Sequence, residues 1–258
     1  MAQRGWGPKG HRMSVRWGSR WAVGAACLLA ACSSSSSPGN GDGGSASGNN
    51  FTCGGGSLTG QARATDVMSL GPIAGATVSA PGCTTAVTDD RGYVTAASDP
   101  GLVIKLSLSA SGYVNAYSEF SVVKSGFQES GADYATSAAT NLIPQLSSTN
   151  GYIFISTSGD GSDGGACSDG KGSSLTVKDH PELTPAYLSS QTTIDTTLTA
   201  TAGFGTLFGP MPPGTYEVDG TKTGCKTVGH NDGYFQFNAS SAVLANTVTL
   251  FSLQLTPQ

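Results

Sequence analysis

Three histidines, His11, His180 and His230, are the side chains of this chain whose ordinary titration falls near neutral pH. A general base could pair His180 with Asp179 or Glu182, and His230 with Asp232, to draw a proton from water or a hydroxyl. Both sit in polar, turn-like segments, Lys178-Asp179-His180-Pro181 and Gly229-His230-Asn231-Asp232-Gly233, where an exposed loop histidine is the ordinary reading. No G-x-S-x-G elbow accompanies the serines, so a Ser-His-Asp hydrolase lacks its local signal. The expectation is no catalytic residue and no enzyme, with a hydrolase using His180 or His230 as base the alternative.

Carboxylates gather in Asp160-Gly161-Ser162-Asp163-Gly164-Gly165, with Asp169 nearby, and could surround calcium. Gly164 stands where the D-x-[DN]-x-[DN]-G register requires a third ligand, so the segment reads as a surface loop and no metal or other cofactor is expected. From Tyr113 to Val123, alternation places Tyr113, Asn115, Tyr117 and Glu119 on one face and Val114, Ala116, Ser118 and Phe120 on the other. If the second face is core, Tyr113 and Tyr117 form a candidate ligand strip for sugar C–H faces or a protein partner. The plainer reading makes Tyr113 a corner residue and Tyr117 a rim cover.

The elements around these residues read as short Thr- and Val-rich strands. Charged residues are only 12% of the chain, about half the usual globular share, and Gly turns are frequent. Strands are expected over 58–65, 76–80, 86–88, 93–97, 102–110 and 113–123, then over 152–156, 174–178, 186–189, 196–200, 214–218, 234–238 and 246–255. Leu102, Ile104, Leu106 and Leu108 share one buried face, and Phe251, Leu253 and Leu255 form the last buried row. The stretch 124–150 is less regular, with a helical turn expected at 134–139.

Thr88-Asp89-Asp90-Arg91-Gly92-Tyr93-Val94-Thr95 is echoed by Thr199-Ala200-Thr201-Ala202-Gly203-Phe204-Gly205-Thr206. This divides the globular part at Ser147 to Asn150 into 51–148 and 149–258, two tandem β-sandwiches in an all-β fold. Cys53 and Cys83 fall in the first, Cys167 and Cys225 in the second. Four cysteines allow three connectivities, and the division favours Cys53 with Cys83 and Cys167 with Cys225, each loop contributing about 4 kcal/mol. No C-x-x-C knuckle supports zinc.

The first 31 residues form a leader: Arg4, Lys9, Arg12, Arg16 and Arg20, then an apolar run from Trp21 to Ala31. A spanning helix needs roughly 20 apolar residues, so this shorter run is a signal h-region; Met13 starts a better-proportioned leader than Met1. Leu29-Ala30-Ala31-Cys32 resembles the lipobox of bacterial lipoproteins. That resemblance implies cleavage before Cys32, lipid on its sulfur and amine, and a bacterial envelope location. Ser33 after the lipidated residue implies outer-membrane sorting under the enterobacterial rule. Residues 32–50 form a Ser/Gly tether with a root-mean-square span of about 23 Å. Without the leader, 8 Lys and Arg face 17 acids, a formal charge of −9, which excludes nucleic acid as a partner.

Gly60-Gln61-Ala62-Arg63-Ala64, Gly71-Pro72-Ile73-Ala74-Gly75-Ala76-Thr77-Val78, Thr88-Asp89-Asp90-Arg91-Gly92-Tyr93 and Ser111-Gly112-Tyr113 resemble the carboxypeptidase regulatory-like family. Its fold is a transthyretin-like, Ig-like seven-stranded sandwich, and Asp89 to Gly92 is expected to be a hairpin loop. Pro212-Pro213-Gly214-Thr215-Tyr216-Glu217-Val218 resembles the family's PPGxYxV corner, with 158–172 as an insertion. Related chemistries lack their residues. There is no His-x-His pair for a dioxygenase, no Tyr-Arg-Gly-Ser of transthyretin-like hydrolases, and no first-strand lysine for the isopeptide bond of Gram-positive pilin-like sandwiches. The expectation is a non-enzymatic envelope lipoprotein, a binding or spacer module for a glycan or an envelope protein.

Overall fold

Strand-forming alternation and turn chemistry are realised over residues 48–66, 69–133, 141–160 and 165–258, which the computed structural model describes. Cys32, the leader, most of the tether, the helical turn expected at 134–139 and Asp163 lie outside these residues. The fold is all-β. In chain order the first half supplies β1 (Asn50–Cys53), β2 (Leu58–Asp66), β3 (Thr77–Ser79), β4 (Ala86–Val87), β5 (Tyr93–Ser98), β6 (Val103–Ser109), β7 (Asn115–Val122) and β8 (Phe127–Asp133). The second supplies β9 (Gly151–Ser158), β10 (Ser174–Val177), β11 (Ala186–Ser190), β12 (Thr193–Ile194), β13 (Thr206–Met211), β14 (Gly214–Lys222), β15 (Cys225–Gly229), β16 (Phe235–Gln236), β17 (Ser240–Val243) and β18 (Thr247–Pro257).

In the first half, a sheet ordered β1-β5-β2-β8 packs on the run β7-β6-β3-β4. Phe51, Ala62, Val94 and Ala96 from one layer meet Val78, Ile104, Leu106, Leu108, Phe120 and Val122 from the other. Ile104, Leu106 and Leu108 keep the expected buried row, but Leu102 is 39% exposed. Its N–H donates to the Asp99 carbonyl in a turn, so β6 begins one residue later. The loop Asp89 to Gly92 is tight, as expected: Asp89 Oδ1 accepts the N–H groups of Arg91 and Tyr93. It is not a hairpin, because β4 belongs to one layer and β5 to the other. Gly92 has φ +77° and lies against the Ala64 carbonyl, where a Cβ would come within 2.6 Å.

The second half has its own core, in which Ile153, Ile155, Phe208, Phe251 and Leu253 face Leu175, Val177, Tyr216, Val218 and Val243. The other side of β9 and β13 is also covered, by Leu142, Ile143 and Leu188. The strand expected at 196–200 does not form. Asp195 Oδ1 accepts both the N–H and the hydroxyl of Thr197, and this local turn displaces extended backbone. β13 follows instead, and its ladder with β9 skips between Phe208 and Met211, around Pro210. In the echoed motif Gly203 matches Gly92 in having positive φ, but the strand starts three residues later, at Thr206.

Both disulfides pair as the division favoured. Cys53–Cys83 ties β1 to the segment before β4, and Cys167–Cys225 closes the base of β15 against Leu255.

The halves share one continuous sheet. Residues Thr247 to Leu250 of β18 run parallel to Asn115 to Ser118 of β7, while β18 also runs parallel to β9 from Val248 to Gln254. Farther along, Leu253 to Pro257 of β18 pairs antiparallel with β15. Residues 45–258 accordingly cluster as a single unit.

Val248 is fully buried at this three-strand junction. Val248→Ala should cost about 2 kcal/mol in denaturant unfolding and speed amide exchange in β7 as well as β9. Loss of protection confined to β9 would contradict a shared seam.

Candidate functional site

The tyrosine strip is a packed interface. Tyr117 is 5% exposed, and its hydroxyl donates to Glu119 Oε1 at 2.6 Å. That same oxygen accepts the Ala242 N–H from β17 at 3.3 Å, and Thr249 on β18 donates its hydroxyl to the Ala242 carbonyl at 2.8 Å. Burial, with the Glu119 carboxylate beside it, pushes the Tyr117 phenol well above its ordinary range. The expected phase of alternation holds from Asn115 on, since Ala116 and Phe120 face the first core, but Val114, before the strand begins, packs against the second-half cluster of Leu142 and Ile143. What alternation could not show is that the second half lies on the opposite face. Tyr113 is half-buried against Ala64, Ile73 and Ala76, the place of a corner residue. Neither tyrosine forms an open stacking platform.

His180 pairs with Glu182, not Asp179. Its Nδ1 lies 2.9 Å from Glu182 Oε1, and the ring sits 5.1 Å from that of Tyr216. Lys178 bonds Glu217 at 3.0 Å alongside. The Tyr216 hydroxyl donates to the Pro212 carbonyl at 2.9 Å, which fixes the PPGxYxV corner locally. Asp179 adopts φ +61° in the turn that presents His180. Lys178, Asp179, His180, Tyr216 and Glu217 line a shallow surface depression completed by Thr215 and Ser240. Lys178, Glu217 and His180 are already paired there: the His180 contact holds the Glu182 carboxyl below its usual range, and Glu217 raises the Lys178 ammonium.

His230 is the more enclosed histidine. Asp232 is not its hydrogen-bonding carboxylate; Asp232 Oδ1 accepts the N–H groups of Tyr234 and Phe235, each at 2.8 Å. Instead, His230 Nδ1 lies 2.9 Å from Ser158 Oγ at the end of β9. The pair is separated by 72 residues, which is why no local motif announces it. Burial lowers the imidazole pKa below its ordinary value, opposed by the negative charge of Asp232, so the ring favours the neutral form that can act as a base. A serine hydroxyl on a neutral imidazole is half of a nucleophilic site. The other contact of Ser158 Oγ is the Leu253 carbonyl at 3.3 Å, an acceptor, whereas a developing oxyanion requires N–H donors. The main chain of His230 is tied on both sides, its N–H to the Ser252 carbonyl and its carbonyl to the Phe237 N–H. The residue thus works as a clamp joining β9, β18 and the segment that follows β16.

Among the described residues no group of three His, Cys, Asp or Glu could hold a metal ion. Asp169, the outlying carboxylate of the acidic loop, is bonded to Lys222 at 3.0 Å, and this contact holds its carboxyl below the usual range.

No family model matches the chain, and no curated protein matches it. Among solved structures it is similar to the Bacillus anthracis TIE protein, at 11% identity over 78% of this chain and 34% of that one, with a TM-score of 0.27. It is similar also to a Streptococcal ancillary pilin, at 11% identity over 78% and 63% with a TM-score of 0.23. A third is GBS52, the minor pilin of Streptococcus agalactiae, at 10% identity over 78% and 98% with a TM-score of 0.24. The chain spans about a third of the TIE protein and under two thirds of the ancillary pilin. At such identities and TM-scores these likenesses carry no weight in the functional reading.

The lowered pKa of His230 sets a pH window. The native state prefers neutral imidazole, so this contribution to stability is complete above the unfolded value of about 6.5 and is lost as pH falls from there toward the folded value. The urea midpoint should therefore decline as pH falls below about 6.5, and the slope should flatten in His230→Asn. A midpoint that rises on acidification over that window would contradict the burial argument.

Proposed function

We propose that this chain is a lipid-anchored protein of the bacterial cell envelope, directed to the outer membrane, with no enzymatic activity. Its β body, two regulatory-like sandwiches in tandem, serves as a binding or spacer module for a carbohydrate or protein ligand. The observation that carries this reading is Leu29-Ala30-Ala31-Cys32 followed by the Ser/Gly tract that ends where β1 begins at Asn50. Two disulfides support it, because exported proteins fold where such bonds persist. The acidic balance of the mature chain supports a partner other than nucleic acid.

A hydrolytic reading is favoured by one observation, the 2.9 Å approach of Ser158 Oγ to His230 Nδ1. The competing contact to a carbonyl, and the surrounding backbone bonds, favour a structural role for the pair. A fluorophosphonate probe separates the two: the binding reading expects Ser158 to stay unlabelled. Labelling at Ser158 that His230→Ala abolishes would establish the hydrolase instead.

Anchoring is tested by intact mass. The mature protein should begin at Cys32, carry acyl mass, and lack four hydrogens for two disulfides, and Cys32→Ala should lose both the acyl mass and the cleavage before residue 32. An N-terminus elsewhere, or acyl mass that persists in Cys32→Ala, would overturn the lipoprotein reading.

A further inference from the structure

We infer that the outer face of the sheet β1-β5-β2-β8 is a binding site for a neutral oligosaccharide, an assignment that rests on the reading of this body as a binding module. The strand registers align Asn50 with Thr95, Thr95 with Gln61, and Gln61 with Gln128. Three amides and a hydroxyl therefore form one row across all four strands, at the strand spacing of about 4.8 Å. Thr59 and Thr52 flank Ala97 in the adjacent outward-facing row. Asn50, Thr59, Gln61, Thr95 and Gln128 are exposed. A depression in this face is lined by Thr59, Gln61, Thr95 and Gln128 around Gly60, Gly126 and Phe127, whose ring is buried in the core beneath.

The face is bounded at both ends. At one end the turn Gly54 to Ser57 folds over it, with Gly56 so close to Thr52 and Ala97 that a Cβ there would stand 3.1 and 3.2 Å from their side chains. Asp99 holds that turn through the Gly55 N–H at 2.8 Å, and this bond holds its carboxyl below the usual range. At the other end the Arg63 guanidinium lies 5.2 Å from the Tyr93 ring centre. From Ala97 to Tyr93 the trough measures about 13 Å along the strand, and about 14 Å across four strands, the dimensions of a short oligosaccharide.

Chemistry selects the class of ligand. Each amide presents a donor and an acceptor and each threonine both in one atom, the complement of adjacent sugar hydroxyls. The row contains no carboxylate or ammonium, so an ionic ligand finds no counter-charge along it and meets one cation, Arg63 against Tyr93, at the end of the trough. Large apolar or aromatic anchors, on which protein interfaces depend, are absent from the row as well.

The test titrates the isotope-labelled mature protein with chitotriose, cellotriose and maltotriose as neutral probes and a sulfated trisaccharide as the charged one. At least one neutral probe should shift the amide resonances of Gln61, Thr95 and Gln128. The Gln61→Ala, Gln128→Ala double variant should weaken that binding about tenfold or more, while His180→Ala leaves it unchanged. Both glutamines are exposed, so the variants should fold, as the unchanged remainder of the spectrum would verify. The assignment is overturned by no shifts at millimolar probe, by shifts that persist in the double variant, or by preference for the sulfated probe. It is overturned equally by capture of an envelope protein through these glutamines without glycan binding. A negative result here combined with normal Cys32-dependent anchoring would fault this site and leave the membrane reading standing.

Discussion

The parallel insertion of β18 between β7 and β9 is the constraint on which the rest of the structure depends. A parallel pair cannot be closed by a tight turn, so a strand parallel to both neighbours must arrive through long connections. Here Thr247 pairs with Asn115 across more than half of the folded chain, and Val248 pairs with Tyr152 on the other side. Thr247, Val248 and Thr249 are buried on both faces, so their backbone bonds have no competing water. The halves consequently share a ladder instead of a hinge. This is also why Tyr117 and Glu119 are latched to Ala242, and why the face that seemed open in one half is an interface in the whole.

Much of the first half was legible because its strands bury one face each. Alternation places Ile104, Leu106 and Leu108 inward, and turn residues such as Asp89 and Gly92 mark their own conformations. Strand β8 escaped notice because Phe127 is its one large apolar residue and it pairs only with β2 at the sheet edge. In the second half, β13 was hidden by Pro210. The strand expected at 196–200 failed for a local reason, the capture of Thr197 by Asp195. Threonine content gave the strand signal, and a single aspartate outweighed it.

The candidate site was less legible than the fold, since the contacts of its histidines and carboxylates are set by long-range pairing. Ser158 and His230 meet at the ends of elements far apart in sequence, and only the β9–β18 ladder brings them together. His230 beside Asp232 suggested a carboxylate-oriented base, yet the carboxylate is consumed by two backbone N–H groups of its own turn. Cysteines were the exception. Two per half left few sensible pairings, and the division into halves favours the observed one. The amide row on β1-β5-β2-β8 could not be read from sequence at all. It exists through register: a one-residue slip of β2 against β5 would turn Gln61 inward and break the row.

A rigid sheet face changes what weak contacts can accomplish. Because the backbone of β2 and β5 is fixed by ladders on both sides, a ligand there orders side chains alone. Long glutamine side chains still lose rotamer freedom on binding, so each neutral contact nets little. Membrane anchoring, as proposed, answers that deficit without any added contact. Copies held in one plane by tethers of about 23 Å span would meet a polymeric ligand as a multivalent array, and the second engagement would be nearly intramolecular. A binding face that is weak, uncharged and rigid is then consistent with its tether, because avidity would come from the surface and selectivity from the register of the sheet.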